Sequence, residues 1–110
     1  MPLLTSDAKG VFVISVTPFT EAGEIDFESL DRVVDFYFER GAHGLTILGM
    51  MGEAPKLTQA ESRAVAERVI KRAGDKPVVV GVSAPGLAAI GELGKAVIDM
   101  GAAGVMVTTP

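Results

Sequence analysis

Gly41-Ala42-His43-Gly44-Leu45-Thr46-Ile47-Leu48-Gly49-Met50-Met51-Gly52-Glu53 is the stretch on which the fold turns. It opens with a glycine suited to stopping a helix. It then runs through a short apolar strand, Leu45 to Leu48, and ends in a loop bounded by two glycines. Its first part returns as Gly101-Ala102-Ala103-Gly104-Val105. Two copies of the same helix stop, tight turn and strand point to parallel strands, each reached from the last through a crossover helix.

The unit can be followed outward in both directions. Upstream, Val11 to Val16 (VFVISV) reads as a strand ended by Thr17-Pro18, because proline cannot donate to a ladder. Thr20 to Glu24 is a hairpin-like polar stretch with Gly23 as its turn residue. Phe27, Leu30, Val33, Val34, Tyr37 and Phe38 recur at helical spacing, with Asp26 placed to cap and Gly41 to stop the helix. Downstream, Thr58-Gln59-Ala60-Glu61 fits a capping box, and Ala60, Ala64, Val65, Val69 and Ile70 keep one face apolar until Gly74. Val78 to Val80 is a third strand. A third helix spans Leu87 to Met100 with Ile90, Leu93, Val97 and Ile98 inward, and Val105 to Val107 is a fourth strand. The helix stops Gly41, Gly74 and Gly101 are 33 and 27 residues apart, a βα repeat. Continuous Val/Ile/Leu runs predict strands covered on both faces. The fold class is α/β.

Two architectures share this pattern. A flavodoxin-like doubly wound sheet closes near this length and wants a glycine-rich phosphate loop or an acidic cluster after its first strand. Thr17-Pro18-Phe19 and the polar turn behind it offer neither. A (β/α)8 barrel needs about 250 residues. At about thirty residues per repeat, this chain accounts for the first four strands and three helices of such a barrel. The expectation is therefore the N-terminal half of one barrel domain over residues 1–110, cut after its fourth strand.

Composition removes other classes. With 48% apolar and 22% charged residues in 110, the chain can bury a core and is not disordered. No stretch approaches the roughly 18 uncharged apolar residues of a membrane span. Met1 to Gly10 carries Asp7 and Lys9 and has no apolar centre, so it does not read as a signal peptide. There is no cysteine, hence no disulfide and no thiol nucleophile, which fits the cytoplasm. A single histidine gives no basis for a His-based metal site. The net charge of -4, without a basic run, argues against nucleic acid as a partner.

The loop Gly49-Met50-Met51-Gly52 is the candidate binding site. It follows a strand and precedes a helix, at the carboxyl end of the sheet where both architectures place ligands. Its glycines let the backbone turn and present N–H groups to an anionic oxygen such as a carboxylate. The plainer alternative is a βα turn in which glycine only meets φ demands. Met50 and Met51 are expected to fill core. Glu53 is either a general base or, as expected, a holder of backbone amides at the next segment. Lys56 is expected to be a solvated surface residue, and Lys9, Lys71, Lys76 and Lys95 do not end a strand. His43 is expected to be structural and Tyr37 to pack. Thr17, Thr108 and Thr109 end strands, where their hydroxyls either reach a central ligand or satisfy nearby backbone.

Taken in order, the segments Gly10-Val11, Val16-Thr17-Pro18-Phe19, Gly23-Glu24-Ile25-Asp26, Leu48-Gly49-Met50-Met51-Gly52-Glu53, Leu57-Thr58, Gly81-Val82 and Gly101-Ala102-Ala103 resemble the N-terminal part of the dihydrodipicolinate synthase / N-acetylneuraminate lyase family. The resemblance implies a (β/α)8 barrel, usually a homotetramer, with no cofactor. It implies a Schiff base between a lysine and a 2-oxo acid, mostly pyruvate, followed by carbon–carbon bond formation or cleavage, or loss of water. The family loop usually reads G-T-T-G-E. Its second threonine binds the keto-acid carboxylate, and its first joins a proton relay with tyrosines. Here Met51 stands at the carboxylate position, where only backbone contact survives, and Met50 at the relay position, where a thioether passes no proton. Gly81-Val82-Ser83-Ala84 is followed by Pro85 where the family commonly has asparagine, so substrate specificity stays open. The family's lysine and tyrosines lie beyond the fourth strand, with Thr109-Pro110 matching the point before the first tyrosine. No catalytic residue is therefore expected in this chain, which should be inactive alone. Two alternatives remain: a standalone half-barrel that assembles through its strand edges, and a flavodoxin-like binding domain.

Overall fold

The structure, a computed structural model, describes residues 3–108. Strands β1 (Phe12–Ile14), β2 (Gly44–Ile47), β3 (Val78–Gly81) and β4 (Gly104–Met106) alternate with helices α1 (Phe27–Glu39), α2 (Gln59–Ala73) and α3 (Leu87–Met100). The sheet order is β1-β2-β3-β4, every pair parallel. Such neighbours are joined by right-handed crossovers, and repeating one hand in strict order puts each helix on the same face. A doubly wound sheet, with helices on both faces, is not formed.

Local chemistry sets the helix starts. The Asp26 carboxylate accepts from the Ser29 N–H at 3.0 Å and from its hydroxyl at 2.8 Å. These bonds, the backbone one foremost, hold Asp26 below the usual carboxylate range. At α2 the capping box closes both ways, Glu61 N–H to Thr58 Oγ1 at 3.0 Å and Thr58 N–H to Glu61 Oε1 at 2.9 Å. The polar turn before α1 closes with Gly23 at φ +87°, and Phe19 bridges Ile25 antiparallel. Helices α1 and α2 are clipped together by two forked pairs, Arg68 to Asp31 and Arg72 to Asp35.

Register divides the sheet into two faces. Leu45 pairs with Val78 and Ile47 with Val80, and these four are buried beneath Leu30, Val34, Val65, Val69, Leu93 and Val97 of the helices. The other face carries Ile14, Thr46, Val79 and Met106. No helix covers it among the described residues, and Leu4 of the amino-terminal arm approaches it at Gly104; Ile14 is 51% exposed and Met106 44%. The expected cover on both faces is therefore met only on the helix side, because every crossover lies there. Strand lengths differ too. Val11 and Val16 fall outside β1, and β4 begins at Gly104 rather than Val105. Ile98 is exposed rather than inward, since Ile90, Leu93, Val97 and Met100 already complete the stripe. Ala60, in the first turn of α2, is also exposed.

At the amino ends of the strands, Val11 N–H donates to His43 Nδ1 at 2.8 Å, and His43 N–H to the Val11 carbonyl at 2.9 Å. His43 is thus structural, as expected, and close under Gly10: a Cβ there would come within 2.5 Å of the imidazole. Leu4 N–H reaches across to the Ala103 carbonyl at 2.8 Å. Tyr37 packs against the core. No helix among the described residues is long and apolar enough to cross a membrane.

Candidate functional site

The carboxyl ends of the strands bring together the segments after β1, β2, β3 and β4. The loop after β2 is the most constrained. Leu48, 3% exposed, turns out of the strand at φ +58°, and Glu53 closes the loop at φ +56°. A left-handed leucine is an outlier, since Cβ crowds the backbone there. Gly49 and Gly52 do not have positive φ. The reading in which these glycines only meet φ demands is therefore corrected: the turning is done by the residues that flank them.

The loop closes on its own carbonyls. Glu53 N–H donates to the Met50 carbonyl at 3.0 Å, and Ala54 N–H to that of Gly49 at 3.4 Å. Among the described residues, the N–H groups of Gly49, Met50, Met51 and Gly52 donate to no acceptor. Carbonyls turned inward and amides left free make a polarity suited to an anion.

Met50 is 91% exposed and Met51 56%, so neither fills core. The tight Met50-to-Glu53 turn leaves both side chains in solvent. Glu53 does not hold backbone amides either. It heads a single 3-10 turn, Ala54–Lys56, in which Pro55 has no N–H to offer, and it accepts instead from Lys56 Nζ at 2.7 Å. That hydrogen bond, then the charge of Glu53, raise Lys56 above its usual value. A Schiff-base lysine needs the opposite shift, and Lys56 is exposed and paired, as expected of a surface residue.

Strand-end hydroxyls sort differently. Thr108 N–H donates to Ser83 Oγ at 2.8 Å, and Ser83 Oγ donates to Thr108 Oγ1 at 3.2 Å, linking the ends of β3 and β4. Thr108 is satisfied locally. Thr17 is buried three residues beyond β1 rather than at its end, and Thr109 lies outside the described residues. No hydrogen bond joins Thr17 or Thr108 to Gly49–Gly52 among the described residues. Behind the loop, a cleft of about 270 Å³ opens between the starts of α2 and α3, with Pro55, Leu57, Ser62, Ser83, Pro85 and Leu93 on its walls. Its lining carries no charge. Among the described residues, no group of three or more His, Asp or Glu side chains is placed to hold a metal.

Sequence reading missed Leu48 and Ser83. Ser83 stood only within a segment where the sequence departs from the family. Leu48 carried no signal, because an apolar residue ending an apolar run reads as strand.

Four parallel strands in sequential order, helices on one face and a free-amide loop at a strand's carboxyl end make this a (β/α)8-barrel protein, represented by its first four strands and three helices. More narrowly, residues 7–110 match the Dihydrodipicolinate synthetase family, and the chain belongs to it. The 4-hydroxy-tetrahydrodipicolinate synthase of Sorangium cellulosum is 41% identical over 103 residues, covering 92% of this chain and 34% of that protein. The crystal structure of dihydrodipicolinate synthase from Rhodopseudomonas palustris superposes with TM-score 0.96 at 54% identity, covering 100% of this chain and 36% of the other. That of the chloride-inhibited enzyme from Acinetobacter baumannii, complexed with pyruvate, gives TM-score 0.87 at 32% identity, covering 92% and 35%. The chain thus spans about a third of the length of the relatives it matches.

Proposed function

We propose that this chain is the N-terminal half of a barrel lyase or aldolase that acts on pyruvate or another 2-oxo acid through a lysine Schiff base, the lysine lying outside these residues. The observation that carries this reading is the family match over residues 7–110, which includes the loop at Gly49–Gly52. The free amides of Gly49, Met50, Met51 and Gly52 hold the keto-acid carboxylate, each a donor to an oxygen that carries charge. Met51 offers no hydroxyl, so this anchor is purely backbone. Met50 passes no proton, so any relay runs through other groups. The two thioethers make the wall beside the carboxylate apolar and adaptable. The complete protein works in the cytoplasm as a homo-oligomer, a tetramer by family habit, without a cofactor.

Borohydride reduction in the presence of pyruvate, followed by mass spectrometry, tests the reading. The complete gene product is expected to gain one adduct, on a lysine other than Lys9, Lys56, Lys71, Lys76 and Lys95. The 110-residue chain alone is expected to gain none. No adduct on the complete product with any tested 2-oxo acid removes the Schiff-base reading.

A second reading, a half-barrel that serves assembly, is favoured by the uncovered sheet face with Ile14 and Met106. Sedimentation of the chain at several concentrations separates the two: a stable monomer throughout counts against an assembly role.

A further inference from the structure

We propose that Gly81, on β3 and outside the loop, is a positioning residue for the free amides of Gly49 to Gly52; the inference rests on the reading of that loop as the carboxylate site. Leu48 holds a left-handed conformation that a buried, bulky residue keeps only when its surroundings leave no alternative. Those surroundings are two glycines. A Cβ on Gly81 would stand 2.3 Å from the Leu48 carbonyl oxygen and 2.9 Å from its carbon. A Cβ on Gly52 would stand 3.0 Å from the Leu48 nitrogen and 3.1 Å from its Cα. The backbone of Leu48 lies between the hydrogens of these two residues.

Neither glycine has positive φ, so each supplies room rather than backbone freedom. The room decides where the loop goes. With the Leu48 carbonyl seated against Gly81, the chain doubles back. Gly49 and Met50 then turn their carbonyls to Ala54 and Glu53, and the amides of Gly49, Met50, Met51 and Gly52 stay free. A methyl group at position 81 drives that carbonyl away. The amides follow within a residue or two, so their aim changes while the helices, packed on the opposite face, do not. Gly86, Gly91 and Gly94 meet nothing within 4 Å of an added Cβ and have no such role.

The test uses the complete gene product and pyruvate as the probe. Gly81→Ala is expected to raise the pyruvate concentration for half-maximal borohydride-trapped adduct at least about tenfold, with full adduct reached at saturation, as befits a lost ground-state anchor. Gly52→Ala, whose contacts are milder, is expected to raise it about threefold, and Gly91→Ala not at all. Loss of saturating adduct with half-saturation unchanged would mean that Gly81 only supports folding, and overturns the proposal. Should Gly81→Ala fail to fold, Gly52→Ala carries the same comparison. A crystal structure of the folded variant gives a readout that needs no substrate. Leu48 displaced from the left-handed region supports the proposal, and Leu48 unmoved overturns it. If the unsubstituted protein forms no adduct with pyruvate, the reading of the loop as a pyruvate site fails, and the crystal structure still decides what Gly81 does.

Discussion

The two faces of this sheet are built from the same strands and obey different demands. Leu45, Ile47, Val78 and Val80 face the helices and are almost wholly buried. Their neighbours in the chain, Thr46 and Val79, face the other way, beside Ile14 and Met106 and the glycines Gly44, Gly81 and Gly104. The first face is β-branched or leucine, suited to close packing under helices. The second is small, mixed and partly exposed. Stability resides on the covered side. The loop with the free amides leaves the sheet where the uncovered side begins, at Leu48, the one residue that belongs to both: its side chain joins the core while its backbone starts the loop.

Truncation should separate the faces most sharply. Ile47→Ala is expected to cost about 2–5 kcal/mol in urea unfolding, and Val79→Ala less than about 1. Equal losses would mean that the second face is packed in solution, and the comparison breaks. Next in size is Thr58→Ala, which removes a cap from a helix of the covered side and should cost about 1 kcal/mol by the same measurement.

Acid gives a smaller effect. Hydrogen bonds from Arg68 and Arg72 hold Asp31 and Asp35 below the usual carboxylate range. The folded chain therefore binds protons more weakly at these sites than the unfolded one does. Their contribution is complete above the ordinary carboxylate range, begins to fade below about 4, and is lost as pH falls through the lower values these groups hold in the folded chain. Asp31→Asn with Asp35→Asn should lower Tm at pH 7 and lower it progressively less as pH falls below about 4; an equal loss at every pH would assign the effect to packing. Smallest of all is Ile14→Ser on the uncovered face, expected to change stability by no more than about 0.5 kcal/mol while weakening self-association in sedimentation. A larger loss of stability would show that face to be covered.

Much of the covered side was legible in the sequence. Asp26, Thr58 and Glu61 cap where their spacing says they should, because capping depends only on residues three apart. The apolar stripes at three- and four-residue spacing marked the core-facing residues of α1, and the repeated Gly-Ala-x-Gly turn marked the parallel order. The uncovered side was not legible. A run such as Val11 to Val16 looks the same whether helices lie on one side of it or on both. The left-handed Leu48 sits in space left by Gly81, 33 residues further on, and no local pattern carries that distance. Glu53 was misjudged for a nearer reason, since Lys56 competes for its carboxylate.

The bond from Leu4 to Ala103 also sets an order in time. Successive strands pair residues 32, 33 and 25 positions apart, whereas this bond closes 99. A loop about three times longer costs roughly 1 kcal/mol more in closure entropy, with only one hydrogen bond in return. Each βα unit can therefore dock on the one before it, and the amino-terminal arm closes over the assembled sheet last. It is a seal on the folding pathway rather than its seed.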